Sequence, residues 1–273
     1  MNTDPRQATS SIGPNEDRTK IRRYREYLRR AYQVADDAVQ RILEAVGQEP
    51  NGRARSNIIV VSDHGFAPFH TAVNINNLFA SHGLDPTKVR AVTSGPTVNV
   101  YINLQGREPD GIVSREEYIA LQGQIVGFFE QLTETNPNYS LGAENPHIFE
   151  KVYHRPLPAD ITDPSFGLGT NEFIGQDGGD VFALLNVGYN FDGTQSPVIL
   201  RLGDPSVTAP VFSVPNFYGA HGYNPKRRRM SAIFIASGPD IGMGTIEMAR
   251  NIDVAPTVLK LLGVPGQASN SLP

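Results

Sequence analysis

The sequence predicts an α/β fold, and three observations carry the prediction. A long amphipathic stretch at residues 18–46 runs into a short β-branched apolar run at 58–61, the helix-then-strand order of α/β proteins. That run, Ile58-Ile59-Val60-Val61, breaks off abruptly into Ser62-Asp63-His64-Gly65. In open α/β sheets, ligand chemistry gathers at such carboxyl ends of strands. Further amphipathic stretches at 116–133 and 251–262 are interleaved with more β-branched runs.

The elements follow in order. Over 18–46, Tyr24, Tyr27, Leu28, Ala31, Ala35, Ala38, Val39, Ile42, Leu43 and Val46 recur at three- and four-residue spacing, which predicts a helix. Asn15-Glu16-Asp17 supplies capping and dipole-favoured acids at its start. The cluster Lys20, Arg22, Arg23, Arg25, Arg29 and Arg30 reads as its solvated face. Ile58–Val61 reads as a buried strand of a parallel sheet, because it is apolar throughout and bounded by polar and glycine residues. A short helix is expected near Asn76–Ser81, and the alternation of TVNVYINL predicts a strand at Thr97–Leu104. Glu116–Thr133 reads as a second amphipathic helix, with Tyr118, Leu121, Ile125, Phe128, Phe129 and Leu132 inward. Residues 134–180 are rich in Pro, Asn, Gly and Asp, with a short strand expected at Ile148–Tyr153. Further strands are expected at Val181–Val187, Pro197–Leu200 and, buried, Ser231–Ile235. Asn251–Leu262 closes the ordered part as a helix, with Pro256 near its first turn.

Composition narrows the chemistry. The chain has 273 residues, enough for one large domain or two small ones. A net charge of -4 gives no global field that would favour nucleic acid or anionic lipid. Cysteine is absent, which removes thiolate metal sites, a thiol nucleophile and disulfides, so any metal must be held by His and carboxylates. No run approaches 18 apolar residues, so no membrane span is expected in this chain. The N-terminal stretch MNTDPRQATSSIGPNEDRTK lacks the apolar region of a signal peptide and reads as the interior of a longer protein; compartment is left open.

Two polar corners could carry chemistry. Asp63 and His64 place a carboxylate beside an imidazole, and Gly65 lets the backbone turn sharply after them. Local chemistry fits two readings: a solvated strand-to-loop turn, which the commonness of Asp, His and Gly in turns favours, or half of a divalent-metal site. The second corner is Phe217-Tyr218-Gly219-Ala220-His221-Gly222-Tyr223-Asn224, where His221 stands between glycines. His70 could face substrate or solvent. Asn99, Tyr101 and Tyr223 could border a leaving-group pocket. The glycines at 167–179 do not sit between a strand and a helix, which argues against a dinucleotide fingerprint.

Taken together, SDHGF after an apolar strand, the later GAHGYNP and the closing NIDVAPTVLKLLGVPG resemble the alkaline phosphatase superfamily, in particular its type I phosphodiesterase/nucleotide pyrophosphatase branch. The resemblance spans residues 57–266, with the helix at 18–46 fitting the element before the DHG strand. It implies an alkaline-phosphatase-like three-layer sandwich, incomplete at the N-terminus, with an α+β insertion over about 85–215; residues 1–273 would be the C-terminal portion of one catalytic domain. It implies two divalent metal ions, usually zinc, with Asp63, His64 and His221 as ligands. The implied activity is metal-dependent hydrolysis of a phosphoester or nucleotide-like small molecule. Sister activities are phosphonate cleavage and phosphomonoester hydrolysis; a reading of another class is a truncated, non-catalytic binding protein.

The match departs from the family in one respect. The Thr or Ser nucleophile is expected upstream of residue 1, so no catalytic nucleophile is identified here and the chain is expected to be a partial, inactive piece. The family's Pro-Asp-x-x-x-His motif has only Asp4 near its place, with Ala8 where the His would stand, so Asp4 reads as a loop residue. A sheet shared with strands outside the chain would leave an open edge and an exposed apolar face.

Overall fold

The computed structural model of the chain describes residues 18–140, 147–191 and 198–265. In chain order the elements are α1 (Arg18–Val46), β1 (Ile58–Val61), β2 (Ala67–Pro68), β3 (Thr71–Val73), α2 (Ile75–Ser81), β4 (Val89–Ser94), β5 (Thr97–Ile102), α3 (Arg115–Gln131), β6 (Phe149–His154), β7 (Val181–Leu185), β8 (Tyr189–Phe191), β9 (Phe212–Ser213), β10 (Gly219–Ala220), β11 (Phe234–Ser237) and α4 (Asn251–Leu261). The described residues fall into two compact units, one of those within 18–23 and Phe66–Met230, the other of those within Tyr24–Gly65 and 231–265.

The first unit holds most of the core. Its four-stranded antiparallel sheet runs β4-β5-β7-β6. In β5 the pleat alternates as the sequence does: Val98, Val100 and Ile102 are buried, whereas Thr97, Asn99 and Tyr101 are half-buried. α3 packs on β5, β6 and β7. Ser114 caps it by accepting from the Glu117 amide at 3.2 Å, and Tyr118, Ile125, Phe128 and Phe129 turn inward. Phe129 stacks on Phe149 of β6 with ring centroids 4.3 Å apart. A smaller sheet, β8-β3-β9, and the short β10-β2 ladder complete the unit.

Two buried ionic clusters tie its loops to this core. Asp180, just ahead of β7, accepts from both terminal nitrogens of Arg107 (2.6 and 2.8 Å), Arg155 Nε (3.1 Å), the Tyr118 hydroxyl (2.7 Å) and the Ile102 amide (2.7 Å). Arg155 spends its other donors on the carbonyls of Gly169, Gly175 and Gly178, which fixes the glycine-rich loop. In the second cluster, Arg201 forks onto Glu134 at 2.6 and 3.1 Å and also bonds Asp204 and Thr71. Both arginines are almost wholly buried, so their counter-charges are structural requirements. The loop-rich composition of 134–180 gave no sign of this.

The second unit is built differently from the sequence reading. β1 was expected to be a buried strand of a parallel sheet. It pairs antiparallel with β11, Ile58 opposite Ser237 and Val61 opposite Phe234, and among the described residues this is its only ladder partner. Its residues are half-buried, and Val61 is exposed. The strand expected at Ser231–Ile235 lies instead at Phe234–Ser237 and is likewise not buried. Val198–Leu200 are not a strand, and Pro197 lies outside the described residues, as do Asn15-Glu16-Asp17 and Asp4 to Ala8.

α1 and α4 form where periodicity placed them, yet their apolar faces stay open. Tyr24, Tyr27, Leu28 and Ile42 of α1, and Ile252 of α4, are all exposed, as are Ile235 and Met248. So much exposed apolar surface is a docking or association liability. The chain is therefore expected to elute above its monomer mass at tens of micromolar in size-exclusion chromatography and to bind an apolar dye. A monodisperse, dye-free monomer would contradict this.

Candidate functional site

The first corner lies in the second unit. The Ser62 amide donates to the Ile233 carbonyl at 3.2 Å, and its hydroxyl accepts from the Ile233 amide at 3.0 Å, which ends β1 beside the approach to β11. The Asn251 side chain, at the start of α4, donates to the Asp63 carbonyl at 2.6 Å. Backbone just before the pair and at Asp63 itself is thus pinned.

The side chains are arranged with equal definition. Asp63 Oδ1 accepts from the His64 amide at 2.9 Å, which turns Oδ2 toward the imidazole. His64 Nδ1 lies 2.9 Å from the Gly65 carbonyl. A carbonyl can only accept, so this contact assigns a proton to Nδ1. Nε2 stands 3.2 Å from Asp63 Oδ2. A protonated ring makes this contact an ion pair, and a ring without the Nε2 proton presents an imidazole nitrogen and a carboxylate oxygen that a cation would accept as donors. A carboxylate oxygen and an imidazole nitrogen whose other nitrogen is tied to a carbonyl form a donor set suited to zinc. The Asp63 side chain is largely exposed and that of His64 one-third exposed, so the pair is open to a ligand.

The second corner lies in the first unit. β10 pairs with β2, Ala220 opposite Ala67 and Gly219 opposite Pro68. This ladder lays the segment just before His221 along the segment that follows the DHG corner in the chain. The Phe66 ring sits 5.7 Å from the His221 ring, and Gly219 permits it: a Cβ there would come within 2.7 Å of Phe66 Cε1. Beyond His221, Gly222 takes a left-handed φ of 88°. Tyr223 then drops into the interior and donates to the Tyr189 carbonyl at 2.8 Å. Burial pushes its phenol well above the usual tyrosine range. His221 itself is exposed.

Asp63 and His64 are thus brought together within one unit, and His221 belongs to the other. Among the described residues no group of three or more His, Asp or Glu side chains converges as a metal site. Sequence reasoning missed Phe66 as the neighbour of His221, although its place directly after DHG was a usable signal. It also missed Glu150, discussed below, for which the sequence carried none. Of the pocket candidates, Tyr223 is buried and committed to Tyr189, and Asn99 accepts from the Gly179 amide at 3.1 Å.

His70 does not face solvent. It is buried, 5.4 Å and 5.2 Å from the rings of Tyr139 and Tyr189, with Nδ1 2.8 Å from the Thr71 hydroxyl. Burial, helped by nearby Arg201, pushes its pKa down to about 4 from an ordinary 6.5. Between those values the unfolded chain binds a proton that the folded chain refuses. The contribution is therefore complete above pH 6.5 and is lost as pH falls toward 4, up to about 3 kcal/mol. Urea unfolding at pH 7 and pH 4.5 should show this loss, and His70→Gln should reduce it; equal pH dependence in both proteins would refute the assignment.

Comparison with known proteins places the fold and then the family. Among solved structures, human ectonucleotide pyrophosphatase/phosphodiesterase 5 superposes with a TM-score of 0.53 at 15% identity, over 98% of this chain and 54% of that one. The fold is thus mixed α/β and alkaline-phosphatase-like, and the chain spans about half the length of that protein. No curated protein matches by sequence. The family model for type I phosphodiesterase / nucleotide pyrophosphatase matches residues 4–224, and the chain belongs to that family.

Proposed function

We propose that this chain supplies the metal-binding corners of a phosphoester hydrolase acting on a diester or nucleotide-like small molecule, with Asp63, His64 and His221 as ligands to zinc. We further take residues 85–215 as an insertion within that catalytic domain. The observation that carries the reading is the 3.2 Å approach of His64 Nε2 to Asp63 Oδ2, with Nδ1 committed to the Gly65 carbonyl. Family membership supports it independently.

When bound, paired divalent ions supply Lewis-acid charge to phosphoryl oxygens and steady both sides of an in-line displacement. The chain's own residues prepare for this. The Gly65 carbonyl holds His64 in the ligating tautomer, and the His64 amide orients the Asp63 carboxylate. Gly219 gives Phe66 room to lie against the His221 ring. No described residue is assigned as the nucleophile.

Isothermal titration with zinc tests the proposal. Wild-type chain is expected to bind zinc, and magnesium far more weakly, since the donor set contains two imidazoles. Absence of zinc binding down to millimolar affinity would overturn it.

A further inference from the structure

The loop that carries His221 is held from an unexpected direction. β6 is irregular at its start: Phe149 stands opposite Leu185 and Lys151 opposite Leu184, so Glu150 is the extra residue of a β-bulge. A bulge redirects a side chain that a regular pleat would send elsewhere. Glu150 turns to the segment just beyond His221. Its Oε1 accepts from Asn224 Nδ2 at 2.8 Å, and its Oε2 lies 3.1 Å from Arg227 Nη2. The carboxylate is mostly shielded, with its side chain 14% exposed; Oε1 carries the hydrogen bond, and Oε2, which accepts none among the described residues, meets Arg227 through charge alone. Asn224 and Arg227 are themselves locked in one turn, the Arg227 amide donating to the Asn224 carbonyl at 2.9 Å. Arg227 also reaches the Asn186 side chain at 3.3 Å.

From this geometry we propose that Glu150 is a positioning residue for His221. It acts through Asn224 and Arg227: it clamps the downstream end of the His221 loop, while the β10-β2 ladder clamps the upstream end. The imidazole between is then held in one orientation before any ligand arrives. The basic run Lys226 to Arg229, which in sequence suggests phosphate steering, has at least one member committed to this clamp. The proposal rests on His221 being a metal ligand, as proposed above, for its functional meaning.

The test uses the full chain and two readouts. In metal-free protein, amide hydrogen exchange over residues 219–227 is compared for wild type, Glu150→Ala, Glu150→Gln and Arg227→Ala. Exchange in this segment is expected to rise at least about tenfold in Glu150→Ala and less in Glu150→Gln, which keeps an acceptor for Asn224. Zinc titration of the same proteins is expected to show affinity reduced roughly 10- to 100-fold in Glu150→Ala. Arg227→Ala, a change at a half-exposed side chain, carries the test if Glu150→Ala fails to fold. Failure of wild-type protein to bind zinc would remove the metal reading alone, and loop exchange would still decide the clamp. Unchanged exchange in both Glu150→Ala and Arg227→Ala would overturn it. So would loosened exchange with unchanged zinc affinity, because the clamp would then not position His221.

Discussion

Replacing Asp180 by alanine is expected to lower the unfolding free energy by about 3–5 kcal/mol, the cost of breaking a buried ion pair from one side. The size follows from what is left behind. Arg155 is 2% exposed and Arg107 only 16%, and both would keep their charge with no counter-ion. The Tyr118 hydroxyl and the Ile102 amide would lose their acceptor in the interior, each a further desolvation loss. Neighbouring Asp180 now pushes the Tyr118 phenol, already raised by burial, further above its usual range. Asp180→Asn, which keeps the shape and one acceptor, should cost less. Urea denaturation followed by circular dichroism measures both, since the chain has no tryptophan to report by fluorescence. A loss below about 1 kcal/mol in Asp180→Ala would show that the cluster is solvated in solution, as exposed pairs are.

The second large effect is expected at the metal. His64→Ala should weaken zinc binding by more than about a hundredfold, because it removes a direct ligand, and loss of supporting contacts alone reaches that range. Asp63→Ala should weaken it comparably. Asp63 is largely exposed, so Asp63→Ala should not lower the unfolding midpoint by more than a surface substitution does, and His64→Ala, at a side chain one-third exposed, should lower it only modestly. That separation is the diagnostic: a fall in zinc affinity at constant stability marks a ligand, whereas a fall in both marks a structural role. If His64→Ala binds zinc as the wild type does, the pair is a solvated turn.

Much of the fold was legible, for local reasons. α1 and α3 follow from three- and four-residue spacing and β5 from strict alternation; in α3 and β5 those patterns report a buried face directly. The DHG and HGY corners were legible because glycine and polar residues punctuate strand ends. What failed depends on partners remote in sequence. Ile58–Val61 is apolar enough for a parallel sheet, yet its ladder is set by β11, some 175 residues on, and no local pattern encodes that. His70 reads as a surface residue because histidine is common there, but Tyr139, Tyr189 and Arg201 close over it from three separate segments. Asp180 and Arg155 sit in a stretch that looks like solvent-exposed loop; only their mutual pairing makes burial tolerable. Glu150 is redirected by a bulge, which depends on the register between two strands and so leaves no trace in either.

Zinc-edge X-ray absorption of the metal-loaded chain examines the central claim most directly. Ligand atoms are expected at about 2.0–2.1 Å, the range for nitrogen and oxygen donors, with outer-shell scattering from two imidazoles. That imidazole signal should fall by about half in His64→Ala and in His221→Ala. A spectrum of oxygen donors alone, unchanged by either substitution, would show that the metal sits elsewhere and would contradict the account.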